Sequence, residues 1–278
     1  MEAKLIIYEQ QRYEMYEKYR KYMLIGILTA IFIVGFIFLI LAANIKRDYD
    51  RFVKSTVIDG LIKNMYEEAS YSPNQMMDIG YIRSLGLYKR PDRWFGEDYF
   101  QGTYKGVKFA CSEVTLQEER ESTDSKGNTR YYYVNYFNGR FYSFTFEKVF
   151  KERLQIMERR SNGRVSGKLT KFETESIEFN KKFNTYATDQ HYVFYQLTPL
   201  IQLNLLQFES MHRGTIQALY QRNTLDIAVN DSKDTLNLSL KNPLTKESLA
   251  PVMAEIQMPA AIINEFNLDS DKFKELGF

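Results

Sequence analysis

One stretch of the chain has apolar residues on every side. Met23 to Ile45 reads MLIGILTAIFIVGFIFLILAANI, which is 23 residues without a charged side chain. A helix of about 20 apolar residues is long enough to cross the hydrocarbon core of a bilayer. A cleavable signal peptide would have a shorter apolar region nearer the start, and a helix buried in a domain would show a polar side. The pattern therefore predicts a single N-terminal transmembrane helix over Met23–Ile45.

Apolar and aromatic residues recur at steps of three and four on both sides of this run, as in an amphipathic helix. We therefore expect a helical tail over 1–22 and a juxtamembrane stalk helix over 46–72. Pro73 ends the stalk, because proline cannot continue a helix from its interior. Residues 73–278 then form the main domain. Four basic residues lie close to the run on each side, so the positive-inside rule does not decide its orientation.

The richest aromatic stretch of the main domain is TRYYYVNYFNGRFYSFTF, residues 129–146, with nine aromatic side chains in eighteen positions. Asn138-Gly139 near its centre predicts a two-residue hairpin turn, since both positions of a type I′ turn need positive φ. A hairpin about this turn places eight residues, six of them aromatic, on one face. Five of these are our candidate ligand or partner face: Tyr131, Tyr133, Tyr142, Phe144 and Phe146. Core packing is the first interpretation of this face, and a stacking surface for bases or a lipid beneath the sheet are the alternatives.

Strands are predicted on both sides of the aromatic stretch. Upstream, alternating apolar residues indicate two strands joined by a tight turn at Lys105-Gly106, followed by a polar loop over 122–130. Downstream, two short apolar runs predict a second hairpin that turns at Arg222-Asn223.

Helices are predicted between and after these strands. Two short ones, over 190–197 and 199–209, are separated where Thr198 caps the second and Pro199 begins it. An amphipathic helix over about 248–267 follows near the end of the sequence. Neighbouring hairpins with helices segregated from them predict an α+β domain, a mostly antiparallel sheet with helices packed on it.

Composition narrows the possible functions. Lys and Arg number 37 against 35 Asp and Glu, and this near-neutral balance argues against nucleic-acid binding, which needs many phosphate contacts. Cys111 is the only cysteine, and the two histidines, His191 and His212, are too far apart for a helical zinc pair. The phosphate-binding, dinucleotide-binding and nucleophile-elbow motifs do not occur. We therefore expect no enzyme activity, no metal and no cofactor.

Three segments together resemble a known family. They are GEDYFQGTYKGVKFACSEV, SKGNTRYYYVNYFNGRFYSFTFEKVF and FNKKFNTYATDQHYVFYQLTP, in this order. In this pattern the chain, from about Ser72 onwards, resembles the bacterial domain-of-unknown-function family numbered 3137. The resemblance implies a protein of the bacterial inner membrane with no established activity, sometimes encoded near LemA-type membrane proteins. Many members have two closely spaced spans, which favours the cytoplasmic side for the domain, whereas this chain has one apolar run.

Three functions follow from these observations. The first is a non-enzymatic interaction or scaffold module at the membrane, with a LemA-type or other membrane protein as partner, and it predicts an exposed aromatic patch. The second is a domain at the bilayer surface that binds a lipid or small apolar ligand, with a cavity between the aromatic sheet and the helices of 189–212. The third, a hydrolytic or transfer enzyme, requires convergent titratable groups.

Overall fold

A computed structural model describes residues 2–29, 33–211, 213–234 and 236–275. These residues form two compact units. The helical unit consists of the described residues of 1–65 and 235–258, and the sheet unit of those of 66–234 and 259–275. His212 and three residues of the predicted transmembrane run, 30–32, lie outside the described residues.

The helical unit is built on a pair of antiparallel helices, α1 (Glu2–Leu28) and α2 (Ile33–Phe52). Aromatic contacts show their direction, because Tyr8 packs on Phe52 at 5.9 Å between ring centroids and Tyr22 packs on Phe38 at 6.0 Å. α2 continues without a break through a π-helical segment, Val53–Ile58, into α3 (Asp59–Met65). The first part of α8 (Lys246–Glu265) completes this unit.

The sequence predicted a single helix over Met23–Ile45, but the structure divides the described residues of this run between two helices. Residues up to Leu28 belong to α1, and residues from Ile33 belong to α2. A physical reason lies at Gly26, where an added Cβ would come within 2.9 Å of the Leu39 side chain. Glycine thus permits a close approach of two helix backbones that a larger residue would block. In the part of the chain that the structure describes, no helix combines the length and the apolar composition needed to cross a membrane.

The sheet unit contains a seven-stranded antiparallel sheet. Six strands follow the order β1-β2-β3-β4-β6-β5, and β7 pairs with β4 on its other side. Their bounds are β1 (Glu67–Ser72), β2 (Arg93–Tyr104), β3 (Val107–Thr123), β4 (Thr129–Glu158), β5 (Thr170–Phe172), β6 (Phe183–Ala187) and β7 (Thr215–Asn230). The predicted α+β class is confirmed. The predicted stalk helix over 46–72 ends earlier, because its last residues pair with β2 as an edge strand.

The long strand β4 corrects the predicted aromatic hairpin. Its 30 residues run straight through Asn138-Gly139, so the two halves of the stretch do not face each other. They pair instead with β3 on one side, where Gly139 lies opposite Val114, and with β7 on the other. Glycine is needed here for close approach, since an added Cβ would lie 2.0 Å from the carbonyl oxygen of Val229. β7 is likewise one strand, with Arg222 at positive φ (51°) where the sequence predicted a turn.

Two local predictions are confirmed. The turn between β2 and β3 is Lys105-Gly106, and both residues have positive φ, at 49° and 78°. Helices α6 (Gln190–Gln196) and α7 (Pro199–Met211) are separated at Thr198, whose hydroxyl accepts a hydrogen bond from the Ile201 amide at 3.4 Å.

Helices and turns cover both faces of the sheet. On one face, α4 (Ile79–Leu85) and the residues after it close a core made of Met77, Ile82, Leu85, Leu87, Tyr88, Val114, Leu116, Phe137, Phe141, Leu219 and Ala228. On the other face, Tyr66 packs on Phe109 at 4.6 Å between ring centroids. The 3₁₀ helix Asp271–Phe273 supplies a ring that packs on Phe146 at 4.3 Å. A short helix, α5 (Ile177–Lys182), precedes β6.

Candidate functional site

The five aromatic residues of the predicted face fall into two groups along β4. Tyr142, Phe144 and Phe146 are buried in the middle of the sheet, where their role is packing. Tyr131 and Tyr133 are 65% and 38% exposed near the start of the strand. The structure therefore keeps only the second group available to a ligand or partner.

A bulge in β4 places the exposed tyrosines and the buried aromatic group on the same face of the sheet. β4 has one residue more than β3 between the pairs Gln117–Asn135 and Leu116–Phe137. Because side chains alternate with a period of two, this extra residue, Tyr136, reverses the alternation. The exposed tyrosines consequently lie on the same face as the buried group, but farther along the strand.

The exposed tyrosines lie on a two-stranded projection that we call the aromatic arm, residues 117–135. Pairs between β2 and β3 end at Gln117, and pairs between β4 and β7 begin at Arg140, so among the described strands the arm consists of β3 and β4 alone. Its turn is closed by Asp124, whose carboxylate accepts hydrogen bonds from the amides of Lys126 and Asn128 at 2.8 and 2.9 Å. The turn, 124–128, lies within the predicted loop of 122–130, whose first two and last two residues belong to β3 and β4.

Side chains of the arm and of β2 hold the aromatic surface of the arm in position. The guanidinium of Arg93 lies 4.0 Å from the ring centroid of Tyr133, a cation–π contact. The Tyr133 hydroxyl donates a hydrogen bond to Glu119 at 2.8 Å, and this bond raises the pKa of Tyr133. Tyr132, on the opposite face, is 46% exposed. Three consecutive tyrosines thus present rings on both faces of a narrow ribbon.

Two further aromatic residues extend this surface at the base of the arm. Trp94 and Phe95 of β2 are 41% and 52% exposed. The guanidinium of Arg83 stacks over Trp94 at 4.3 Å from the ring centroid. Sequence reasoning missed these residues, although the chain's single tryptophan beside a phenylalanine could have drawn attention to them.

A group of carboxylates lies deeper on the same sheet. Glu97, Asp98 and Glu113 each bring an oxygen within 4.8 Å of the others, a distance compatible with metal ligation. Neighbouring groups already serve these carboxylates, since the Tyr71 hydroxyl donates to Asp98 at 2.5 Å and the Arg140 guanidinium is 3.7 Å from Glu113. These contacts connect Asp98 and Glu113 to neighbouring side chains of the sheet.

A second polar network is buried against α4. The Asp226 carboxylate accepts hydrogen bonds from the hydroxyls of Tyr81 at 2.6 Å and Thr224 at 2.9 Å. Burial raises the pKa of Asp226 although these hydrogen bonds oppose the shift. The Tyr81 hydroxyl is also 2.9 Å from the Ser143 hydroxyl of β4, so the network links the helix to two strands and is placed for structural support.

The helical unit carries an exposed apolar surface of its own, which we call the apolar tip. It lies where α1 ends and α2 begins, and its members are Leu24, Ile27, Leu28, Phe36, Ile37 and Ile40, each more than half exposed. Just before it in α1 come three basic residues, Lys18, Arg20 and Lys21. Exposed apolar patches bordered by polar residues are typical of surfaces that contact a membrane or a protein.

Comparisons with known proteins give a family match over part of the chain. The family described as protein of unknown function, DUF3137, matches residues 135–268. This confirms the resemblance predicted from the sequence over these residues, whereas the predicted resemblance began at about Ser72. No curated protein matches the chain. Among solved structures, the chain is similar to the mycobacterial trehalose monomycolate transport factor A, TtfA, at 8% identity, a TM-score of 0.41, and coverage of 77% of this chain and 96% of that one. A likeness of this strength carries no argument about function.

Proposed function

Residues 135–268 match the family model of a protein of unknown function, DUF3137, and we propose that this protein is a non-enzymatic interaction module held at a bacterial inner membrane. The aromatic arm is the observation that carries this proposal. Its partner is another membrane protein, and the family resemblance suggests a LemA-type one.

The arm has the properties of a protein-binding element. Tyrosine and tryptophan are enriched at protein interfaces because they offer a large contact area for a small loss of conformational freedom. The arm also leaves the outer edges of β3 and β4 without neighbouring strands among the described residues. An extended segment of a partner could pair with such an edge as an additional strand, and the tyrosine rings would then contact the side chains of that segment.

Photo-crosslinking tests this role of the arm. A benzophenone amino acid placed at Tyr131 or Tyr132 should trap a specific partner in cells, whereas the same group at Tyr195 should not. Tyr195 is the matched control, because it is a tyrosine of the same unit and is 45% exposed. Replacing Tyr131, Tyr132 and Tyr133 together by serine should abolish partner co-purification. Equal crosslinking at all three positions would refute the arm as the contact.

For the membrane attachment, we propose that the apolar tip inserts into one leaflet. Lys21 is the last charged residue of α1 before the tip, and it lies about 10 Å from Leu28 along the helix axis. The hydrocarbon core is about 30 Å thick, so this depth fits one leaflet and not both. Tyr19 and Tyr22 fall at the level of the head groups, where aromatic rings are favoured. The neighbouring lysine and arginine side chains can contact anionic lipids.

This mode of attachment makes a prediction about sidedness. A single span separates the tail of 1–22 from the main domain, whereas an inserted hairpin leaves both on one side. In a Cys111→Ser background, single cysteines at Gln11 and at Ser125 should therefore react alike with a membrane-impermeant maleimide. With the domain in the cytoplasm, both react only after lysis. Labelling of one position but not the other in intact cells would refute the hairpin.

The predicted ligand site beneath the sheet finds less support than the arm. The apolar residues of α6 and α7 that would line it are buried, and Phe150 of β4 packs on Tyr192 of α6 at 5.7 Å between ring centroids. At this point the Tyr192 ring therefore lies against the sheet, where part of the ligand was expected.

A further inference from the structure

Two successive helices of the sheet unit, α6 and α7, are apolar on their outward sides as well as on their buried sides. Between Gln190 and Phe208 the sequence has no Lys, Arg, Asp or Glu. Glu209, the next charged residue, is buried and forms an ion pair with Lys182 at 2.8 Å. A helix at a protein surface ordinarily has charged residues on its outer side, whereas a helix that is apolar all round is covered on all sides. This composition indicates that the outward sides of both helices are covered in the working protein.

The exposed apolar residues of these helices form a surface that we call the apolar shoulder. In α7, Leu200, Leu203 and Met211 are each 60% exposed, and their spacing of three and eight residues places them on one side of the helix. In α6, Phe194 and Tyr195 are 43% and 45% exposed. A single exposed apolar residue is ordinary, but several on two consecutive helices are typical of a surface that contacts a membrane or a protein.

Two lysine side chains border the apolar shoulder at Tyr195. The Lys272 ammonium donates a hydrogen bond to the Tyr195 carbonyl oxygen at 2.7 Å and lies 4.5 Å from the centroid of its ring. The Lys148 ammonium of β4 lies 5.9 Å from the same centroid. Asp271, next to Lys272 in the sequence, forms an ion pair with Lys274 at 3.1 Å. Burial and, after it, the positive charge of Lys148 lower the pKa of Lys272 to about 8. An anion that approached both ammonium groups would reduce their repulsion.

The chemistry of this border favours a bilayer over a protein as the occupant. Tyrosine and lysine beside apolar side chains are typical of the membrane interface, where the ring lies among the head groups and the ammonium contacts anionic lipids. We propose that the apolar shoulder is a second membrane contact, at which its apolar side chains enter the head-group region and Lys148 and Lys272 bind the phosphates of anionic lipids. The proposal rests on that part of the proposed function which places the protein at a membrane, and not on the apolar tip or the aromatic arm.

Quenching by spin-labelled lipid tests this contact in the full-length protein, mixed with an excess of nanodiscs so that each disc holds one copy. In a Cys111→Ser background, Gln207→Cys on the exposed side of α7 carries an NBD fluorophore, and Ser125→Cys in the turn of the arm is the control. Phosphatidylcholine with a nitroxide near its head group should quench the probe at Gln207 and not the probe at Ser125. Leu28→Cys reports on the apolar tip in the same way. Absence of quenching at Gln207 overturns this proposal whatever Leu28 shows, whereas quenching at Gln207 alone supports it and refutes insertion of the tip.

Two double variants separate the lysines from the apolar side chains. In discs that contain phosphatidylglycerol, changing Lys148 and Lys272 together to glutamine should lower the ratio of docked to undocked shoulder about 30-fold, as judged from the quenched fraction of the probe at Gln207. The same change at two exposed lysines of the sheet unit, Lys126 and Lys168, is the matched control and should leave the ratio within about twofold. An equal effect of the Lys148 and Lys272 changes in discs of phosphatidylcholine alone would overturn the anionic head group.

The apolar side chains are tested by Leu200→Gln combined with Leu203→Gln, which should abolish quenching at Gln207. Both leucines are exposed, so the melting temperature should not fall, and an unchanged value excludes unfolding as the cause. Quenching that survives this double variant would overturn the proposal. Disulfide formation between two copies of unlabelled Gln207→Cys, in place of lipid quenching, would overturn it in favour of a second copy of the chain as the occupant.

Discussion

Adding one methyl group at Gly139 should destabilise the sheet far more than an ordinary glycine-to-alanine change. The new Cβ would lie 2.0 Å from the Val229 carbonyl oxygen, whereas ordinary contact begins near 3.4 Å. The two central strands must therefore separate by more than an ångström. Overpacking costs about 1–3 kcal/mol, and weakening two ladder hydrogen bonds adds about 1 kcal/mol each. The gain from restricting the unfolded chain is about 0.5–1 kcal/mol, so we expect a net loss of about 2–4 kcal/mol.

Denaturant unfolding followed by the fluorescence of Trp94 measures this loss. Trp94 is the single tryptophan and pairs with Leu116, close to Gly139 on the neighbouring strand. A loss of this size lowers the melting temperature by about 5–15 °C. Gly106→Asn is the control, because Gly106 has positive φ and open space and should tolerate asparagine. Gly139→Asn distinguishes a strand from a turn at this position, because asparagine tolerates the positive φ of a turn. In the strand, asparagine should lower the stability at least as much as alanine does. Near-wild-type stability of Gly139→Asn would refute the strand assignment.

Three further predictions concern buried groups. Because burial raises the pKa of Asp226, its contribution to stability is complete below the ordinary value of 3.8 and is lost as the pH rises through the folded-state pKa. Asp226→Asn should therefore flatten the fall in unfolding free energy between acidic and neutral pH, and a fall as steep as in the wild type would contradict this. Arg12→Ala should destabilise the helical unit by about 2–4 kcal/mol, seen as faster proteolysis, since the buried guanidinium bonds Glu9 at 2.8 and 2.9 Å. Burial raises the pKa of Glu9, but the hydrogen bond and the charge of Arg12, together with a hydrogen bond from the Leu244 amide, outweigh burial and the pKa is lowered. The stabilising contribution of Glu9 is therefore lost as the pH falls towards and below its folded-state pKa. Cys111, which is 2% exposed, should react with a thiol reagent only on unfolding, and rapid reaction of the folded protein would show that β3 opens locally.

Features set by local chemistry could be predicted from the sequence. Lys105-Gly106 forms its turn because glycine accepts positive φ wherever it occurs, and Thr198-Pro199 separates two helices through capping and the fixed φ of proline. The α+β class followed from the alternation of apolar residues. In each case the signal and its structural effect lie within a few residues of each other.

Features set by distant contacts were predicted wrongly or not at all. The sequence of Asn138-Gly139 is compatible with a turn, but β7, about ninety residues later, needs the same glycine for close approach. The apolar run at Met23 similarly gives no local sign that Gly26 will pack against Leu39. The exposure of Tyr131 and Tyr133 depends on where the neighbouring strands end, which the spacing of aromatic residues within β4 does not encode.

The helical unit is assembled from the two ends of the sequence, and this has a consequence for biosynthesis. Arg12 of α1 donates a hydrogen bond to the Leu240 carbonyl oxygen, across 228 residues of sequence. At a translation rate of about 5–20 residues per second, on the order of 10–50 s pass before the ribosome delivers that partner. Throughout this interval α1 and α2 lack the segment that later packs on them, while the apolar tip is already outside the ribosome. If the tip attaches to a membrane as proposed, delivery to the bilayer during translation would shield the tip in that time.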